Sequence, residues 1–153
     1  FICYYFDKHY AMESTFHLAF PIKDLNKSKE FYCTLLGCEI GRETPNWMDI
    51  NFFGHQLTIQ VNPDAVRNIP FHEFGKSPFP VHHFGLVLSW GNWHLLQDKL
   101  IQEKVDFIIK PQIVFQGEVG EQKTMFIQDP NDYFIEFKTF EDSKNVFKKT
   151  PTK

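Results

Sequence analysis

One pattern occurs twice along these 153 residues, and it constrains the fold more than any single motif. Phe16-His17-Leu18-Ala19-Phe20-Pro21 reads as a short apolar strand carrying one histidine. Asp24 can cap a helix whose apolar positions Leu25, Phe31, Tyr32, Leu35 and Leu36 recur at helical spacing, with Gly37 as its stop. After a turn near Pro45 come strand-like runs at Trp47–Phe53 and Gln56–Val61. The pattern then restarts. Val81 to Leu88 is a strand with His83 near its start, and Asn92 is the expected cap of a helix with Trp93, Leu96 and Leu100 on its apolar face. Further strands are expected at Asp106–Ile109, Ile113–Phe115, Lys123–Gln128 and Tyr133–Phe140, with a turn at Asp129-Pro130-Asn131-Asp132 joining the last two. Overlaid, His17-Leu18-Ala19 falls on His83-Phe84-Gly85. Two copies are too few for a solenoid, so the pattern predicts two β-α-β-β(β) modules in one domain.

The boundaries follow from that repeat. Module one covers about 14–61, module two about 81–140, and 141–153 form a C-terminal tail. The intervening residues 62–80 hold four of the nine prolines and read as a linker over the sheet or a partial lid. Met12 lies just ahead of the first patterned segment, so residues 1–11 are expected to be an extension outside a single domain spanning 12–153. A chain of this length buries roughly 68–70% of its unfolded surface and needs no disulfide or metal merely to fold.

Charge and cysteine usage narrow the partners. Sixteen basic and nineteen acidic side chains leave a net charge of −3 with no basic block, which argues against nucleic acid and anionic membrane. Cys3, Cys33 and Cys38 form an odd set without CxxC spacing, as expected for free thiols in the cytoplasm. No apolar run approaches the roughly 20 residues of a bilayer span. Aromatics make up 17%, which suits strands and an apolar-walled pocket for a small molecule.

The duplicated histidines are the chemical feature. His17 and His83 occupy the same slot in their modules, far apart in sequence. Glu136 interrupts the apolar strand Phe134-Ile135-Glu136-Phe137, and a carboxylate there is costly to bury without compensation. Alternation puts Phe134, Glu136 and Lys138 on one face, with Ile135 and Phe137 on the other. Two imidazoles and a carboxylate converging on one sheet face would make a facial triad with open positions.

His17-Leu-Ala, Phe31-Tyr32-x-x-Leu35-Leu36-Gly37, His83-Phe-Gly and Asp129-Pro-Asn-Asp-x-x-Ile-Glu136 together resemble the vicinal oxygen chelate superfamily. Glyoxalases, extradiol dioxygenases and fosfomycin- or bleomycin-resistance proteins belong to that group, and the resemblance covers about Phe16 to Phe140. It implies an α+β fold of paired βαβββ modules forming a curved mixed sheet around a metal cup. The ligands it implies are His17, His83 and Glu136. The implied cofactor is a divalent metal, with Fe(II) favoured and Mn(II), Zn(II) or Ni(II) as alternatives. A small-molecule substrate and a second copy of the chain, as a homodimer, are the expected partners.

Departures from the family refine the expected reaction. Glyoxalase-type members commonly carry a fourth ligand on the last strand of module one. Counted from Gly54 as from Asp132, Thr58 stands where module two has Glu136, which leaves three ligands and favours dioxygenase-like chemistry. Extradiol enzymes usually bring a tyrosine about ten residues before the glutamate, and here that residue is Phe126. The proton-moving candidates are therefore His72 in the linker, His55 in its turn, and Tyr133. Lys123 is a candidate contact for an anionic substrate. The alternatives are a glyoxalase-like lyase or isomerase, a fosfomycin-resistance-like thiol transferase, and a non-catalytic binding module.

Overall fold

Alternation along the first strand sets the architecture. In the computed structural model, which describes residues 14–74 and 77–149, β1 (His17–Ile22) turns Leu18, Phe20 and Ile22 inward and leaves His17 and Ala19 exposed. The expected extension 1–11 and Cys3 lie outside the described residues. α1 (Leu25–Lys29) starts where the Asp24 carboxylate accepts from the Lys27 amide at 3.0 Å, as its capping residue predicts. It runs into a π-helical turn, Glu30–Leu35, that buries Phe31 and Tyr32. Gly37, at φ 81°, ends it in the left-handed region that glycine tolerates.

β2 (Glu39–Thr44), β3 (Trp47–Phe52) and β4 (His55–Val61) complete the first module. Phe53 and Gly54 both have positive φ, the geometry of the tight hairpin turn joining β3 to β4. Strand order is β1-β4-β3-β2, with β1 and β4 parallel and the other pairs antiparallel.

The linker is more structured than its prolines suggest. A short 3-10 turn, Pro63–Ala65, leads to an antiparallel hairpin of β5 (Phe71–Phe74) and β6 (Ser77–Pro80).

Module two repeats module one. It consists of β7 (His83–Val87), α2 (Trp90–Gln102), β8 (Phe107–Val114), β9 (Gln122–Gln128) and β10 (Phe134–Thr139), in the order β7-β10-β9-β8 with β7 and β10 parallel. The paired βαβββ modules of the α+β class are thus present, each with its own four-stranded mixed sheet. Two local expectations differ. Ser89 rather than Asn92 caps α2, because its hydroxyl accepts from the Asn92 amide at 3.3 Å. The two strands expected around Pro111 are one edge strand, β8, whose irregular register absorbs the proline.

Both modules share one core. Phe52 lies 6.3 Å from Phe137 and 5.9 Å from Phe84, and Phe20 lies 5.6 Å from Phe84. Trp93, Leu96 and Leu100 bury the apolar face of α2 in the same cluster, as their spacing predicts. A polar clasp reinforces it. The Asn131 carbonyl oxygen accepts from the Lys23 amide at 2.7 Å, its NH2 donates to Ser28 Oγ at 3.0 Å, and Lys23 pairs with Asp132. The predicted turn is therefore also the joint between modules.

Candidate metal centre

β7 and β10 pack unusually closely where the site forms. A Cβ on Gly85 would sit 1.7 Å from the Glu136 carbonyl oxygen, so this position admits only glycine without displacing a strand. The parallel register sets His83 opposite Phe134, two residues before Glu136. His83 and Glu136 therefore share one face of the sheet, and their side chains meet. His83 Nε2 lies 3.4 Å from Glu136 Oε2. The second carboxylate oxygen, Oε1, accepts from Thr124 Oγ1 of β9 at 2.7 Å. Lys138 Nζ, two residues along β10, lies 3.2 Å from Oε2.

The electrostatics follow from those contacts. Burial pushes the Glu136 carboxyl upward, but hydrogen bonds from His83 and Thr124 with the Lys138 charge outweigh it and hold the group below its usual range. The bond to Glu136 raises the His83 imidazole above its ordinary value, against burial, which lowers it.

His83 and Glu136 form part of the floor of a cavity of about 570 Å³. Phe79, Val114, Phe115 and Phe126 give it apolar walls, and Gln112, Gln122, Thr124 and Lys138 supply its other polar groups. The donor set fits a divalent metal. His83 Nδ1 donates to the Pro80 carbonyl at 3.0 Å, which orients the ring so that Nε2 faces Glu136, donating to it when the imidazole is protonated and free to ligate a cation when it is neutral. Glu136, 7% exposed and oriented by Thr124, offers the charge a cation would neutralise.

His17 is placed elsewhere in the chain. Its register repeats that of His83: it stands opposite Gln56, two residues before Thr58, as His83 stands opposite Phe134, two before Glu136. Because Leu18 and Phe20 pack inward against the core that Phe84 and Leu86 also face, the His17 and His83 faces both point away from that core. Among the described residues no group of three His, Cys, Asp or Glu side chains comes close enough to hold a metal. One chain thus brings together two of the three expected ligands.

The outward face of module one carries its own acid, which the sequence reading missed. Asp49 on β3 accepts from Thr58 Oγ1 at 2.6 Å and from Arg42 Nε at 3.0 Å. The Thr58 bond, with Arg42 added and burial opposing, holds its carboxyl low. Relative to module two the acid and hydroxyl have exchanged strands. The signal was available, since Asp49 is a lone acid amid Trp47-Met48-Asp49-Ile50 and falls opposite Thr58 when the hairpin is folded at Gly54.

The proton-moving candidates do not reach the Glu136 cup. Tyr133 donates to the Pro21 carbonyl at 2.9 Å and lines a second cleft between the modules, with Leu18, Phe20 and His82, which borders His83 but not Glu136. His55 accepts from the Phe16 amide at 3.4 Å and lines a cavity with Val87, Trp90 and Phe147. The backbone of His72 pairs with Phe79 on the linker hairpin, and its side chain lies outside the described part of the structure. Lys123 is also absent from the cup lining. Gln122, Thr124 and Phe126 take the cup face of β9, so alternation turns Lys123 toward α2, over the Trp90 and Trp93 rings. Burial pushes the Cys38 thiol up to about 12 and also raises Cys33, so neither is an activated thiolate.

Two βαβββ modules of matching strand order, packed on one shared core, define the class of fold to which the chain belongs. The chain belongs to the glyoxalase/bleomycin resistance protein/dioxygenase superfamily, whose family model matches residues 15–137. That superfamily includes enzymes, and its members bind small molecules, generally with a divalent metal. The chain is 28% identical over 144 residues to the metallothiol transferase FosB of Lysinibacillus sphaericus, covering 91% of this chain and 92% of that protein. A glyoxalase/bleomycin resistance protein/dioxygenase from Alicyclobacillus acidocaldarius is 29% identical, with a TM-score of 0.74 over 88% of this chain and 97% of that one. The fosfomycin resistance protein FosX from Listeria monocytogenes shares the fold at 12% identity, with a TM-score of 0.65 over 88% of this chain and 98% of that one. Among the described residues no helix is long and apolar enough to cross a membrane.

Proposed function

We infer that two copies of this chain form two metal-dependent sites, each taking His83 and Glu136 from one copy and His17 from the other. The observation that carries this reading is that His17 and His83 hold equivalent registers on faces that both turn away from the shared core. Each copy then presents one two-ligand half and one single-ligand half. A two-fold arrangement joins unlike halves twice, so a homodimer completes both sites.

The reaction we propose is metal-assisted addition of a thiol to a small electrophile with vicinal oxygens: the new C–S bond forms as a C–O bond of the electrophile opens, and the thiol proton passes to the released oxygen, as the similarity to a metallothiol transferase suggests. A bound divalent cation would polarise a substrate oxygen as a Lewis acid. The chain's own residues do the rest. The Pro80 carbonyl and Thr124 hydroxyl hold the two ligands in orientation, and Phe79, Phe115 and Phe126 keep water from the reacting centre. Of the described cysteines Cys38 is buried and Cys33 is raised, and on this reading the thiol is supplied by a second substrate. Two imidazoles and one carboxylate suit Mn(II) and Fe(II) alike. The transferase reading favours Mn(II), whereas dioxygenase-like chemistry, expected from the three-ligand count, needs Fe(II) and dioxygen.

The test mixes two inactive variants, His17→Ala and Glu136→Ala, after partial unfolding and refolding together. Each alone should bind little Mn(II). In the mixture, mixed dimers carry one intact site each and restore about one quarter of wild-type sites. Failure to recover any metal would rule out the shared site. Turnover of fosfomycin with L-cysteine under argon supports the transferase, and turnover that requires air supports the dioxygenase.

A further inference from the structure

Lys138 is the charged group of the cup that the ligand set leaves over. Glu136 has one oxygen committed to Thr124; the other, Oε2, faces His83 and is the oxygen that Lys138 Nζ occupies at 3.2 Å. A divalent cation held between His83 and Glu136 would need that same oxygen. An ammonium and a divalent cation on one carboxylate oxygen repel each other, so each weakens the other's hold on it. We propose that Lys138 couples metal loading to anion binding: it yields Oε2 to the metal and turns into the cup, where it seats an oxyanion of the substrate. This rests on the reading of His83 and Glu136 as metal ligands.

The surroundings support both positions of the side chain. Lys138 is one third exposed and reaches Oε2 on a flexible four-carbon stem, so it can leave without disturbing β10. Strand alternation keeps it on the cup face whichever way it points. Among the described lining residues it carries the cup's single ammonium, with aromatic and aliphatic walls around it and the amides of Gln112 and Gln122 nearby. An ammonium released from its carboxylate there is stabilised by an anion. The fitting class is a small molecule bearing a phosphonate or carboxylate beside the oxygens that face the metal.

Linkage makes the consequence reciprocal. An anion that captures Lys138 frees Oε2, so anion tightens metal and metal tightens anion by the same factor. Calorimetric titration of Mn(II) into metal-stripped protein, with saturating methylphosphonate, with acetate, or with chloride at matched ionic strength, measures it. In the wild type one or both oxyanions should tighten Mn(II) roughly tenfold, within the range usual for coupled sites. Lys138→Met should bind Mn(II) more tightly than wild type in chloride and ignore both anions, while Lys138→Arg retains the linkage. Should Lys138→Met fail to fold, the reverse titration of methylphosphonate or acetate into stripped and Mn(II)-loaded wild type must show the same factor. Wild-type Mn(II) affinity indifferent to both anions, or an unchanged anion effect in Lys138→Met, overturns the coupling alone. Wild-type protein that binds no more Mn(II) than His83→Ala overturns the metal reading, and the coupling with it.

Discussion

The Tyr32 hydroxyl of module one donates a 3.0 Å hydrogen bond to the buried carboxylate of Asp129 in module two, across 97 residues of sequence. Asp129 also accepts from the Asn131 and Tyr133 amides at 2.8 Å. This buried joint holds the modules back to back, with the His17 and His83 faces outward.

Tyr32→Phe should therefore loosen the joint between modules. Burial already pushes the Asp129 carboxyl upward, so losing one donor leaves a poorly solvated acceptor. The expected cost is about 1–3 kcal/mol, read from urea denaturation. An unchanged midpoint would show that the hydroxyl is dispensable.

Gly85→Ala should act on the site through the backbone. The new Cβ collides with the Glu136 carbonyl, so β7 and β10 must part where His83 and Glu136 meet. Overpacking of this kind costs roughly 1–3 kcal/mol. Bound Mn(II) should fall with stability, and native metal stoichiometry in a folded Gly85→Ala protein would refute this role of the glycine.

Thr58→Val separates the two acid–hydroxyl pairs. The Thr58 hydroxyl is the largest influence holding the Asp49 carboxyl low, so that carboxyl should titrate higher in the variant. Metal content should not change, because Thr58 serves Asp49 and lies outside the proposed ligand set. Carboxyl carbon NMR titration with parallel metal analysis checks both, and lost metal would make Thr58 part of the centre.

The His83–Glu136 pair predicts the pH profile. His83 titrates above the ordinary imidazole value of about 6.5 because of Glu136, so its stabilising contribution is full below that value and is lost as pH rises through the folded one. Glu136 titrates low, so its contribution is present above the ordinary carboxyl value and is lost as pH falls through the lowered one. Metal uptake runs opposite to the His83 contribution, since Nε2 must release its proton. Mn(II) affinity should fall by at least about tenfold per pH unit below the His83 value. Calorimetry in buffers of differing ionisation heat should detect the released proton, and a flat profile would exclude His83 as the ligand that titrates.

Much of this protein was legible in its sequence because the signals are local. Strand alternation put Glu136 and Lys138 on one face, the duplication put His17 and His83 at one register, and Asp24, Gly37 and the Asp129–Asp132 turn bound their elements as their chemistry dictates. Alternation fixes which residues share a face of a strand. It says nothing about where that face points relative to another module. That was decided by the packing of Phe20, Phe52, Phe84 and Phe137, contacts between residues far apart in the chain, which direct the two histidine faces away from the core. The same packing drew Tyr133 to the Pro21 carbonyl, left His55 beside a different cavity, and let Lys138 close on the oxygen of Glu136 that faces His83. Periodicity determined the registers of His17, His83 and Glu136; the shared aromatic core determined which of them one chain can bring together.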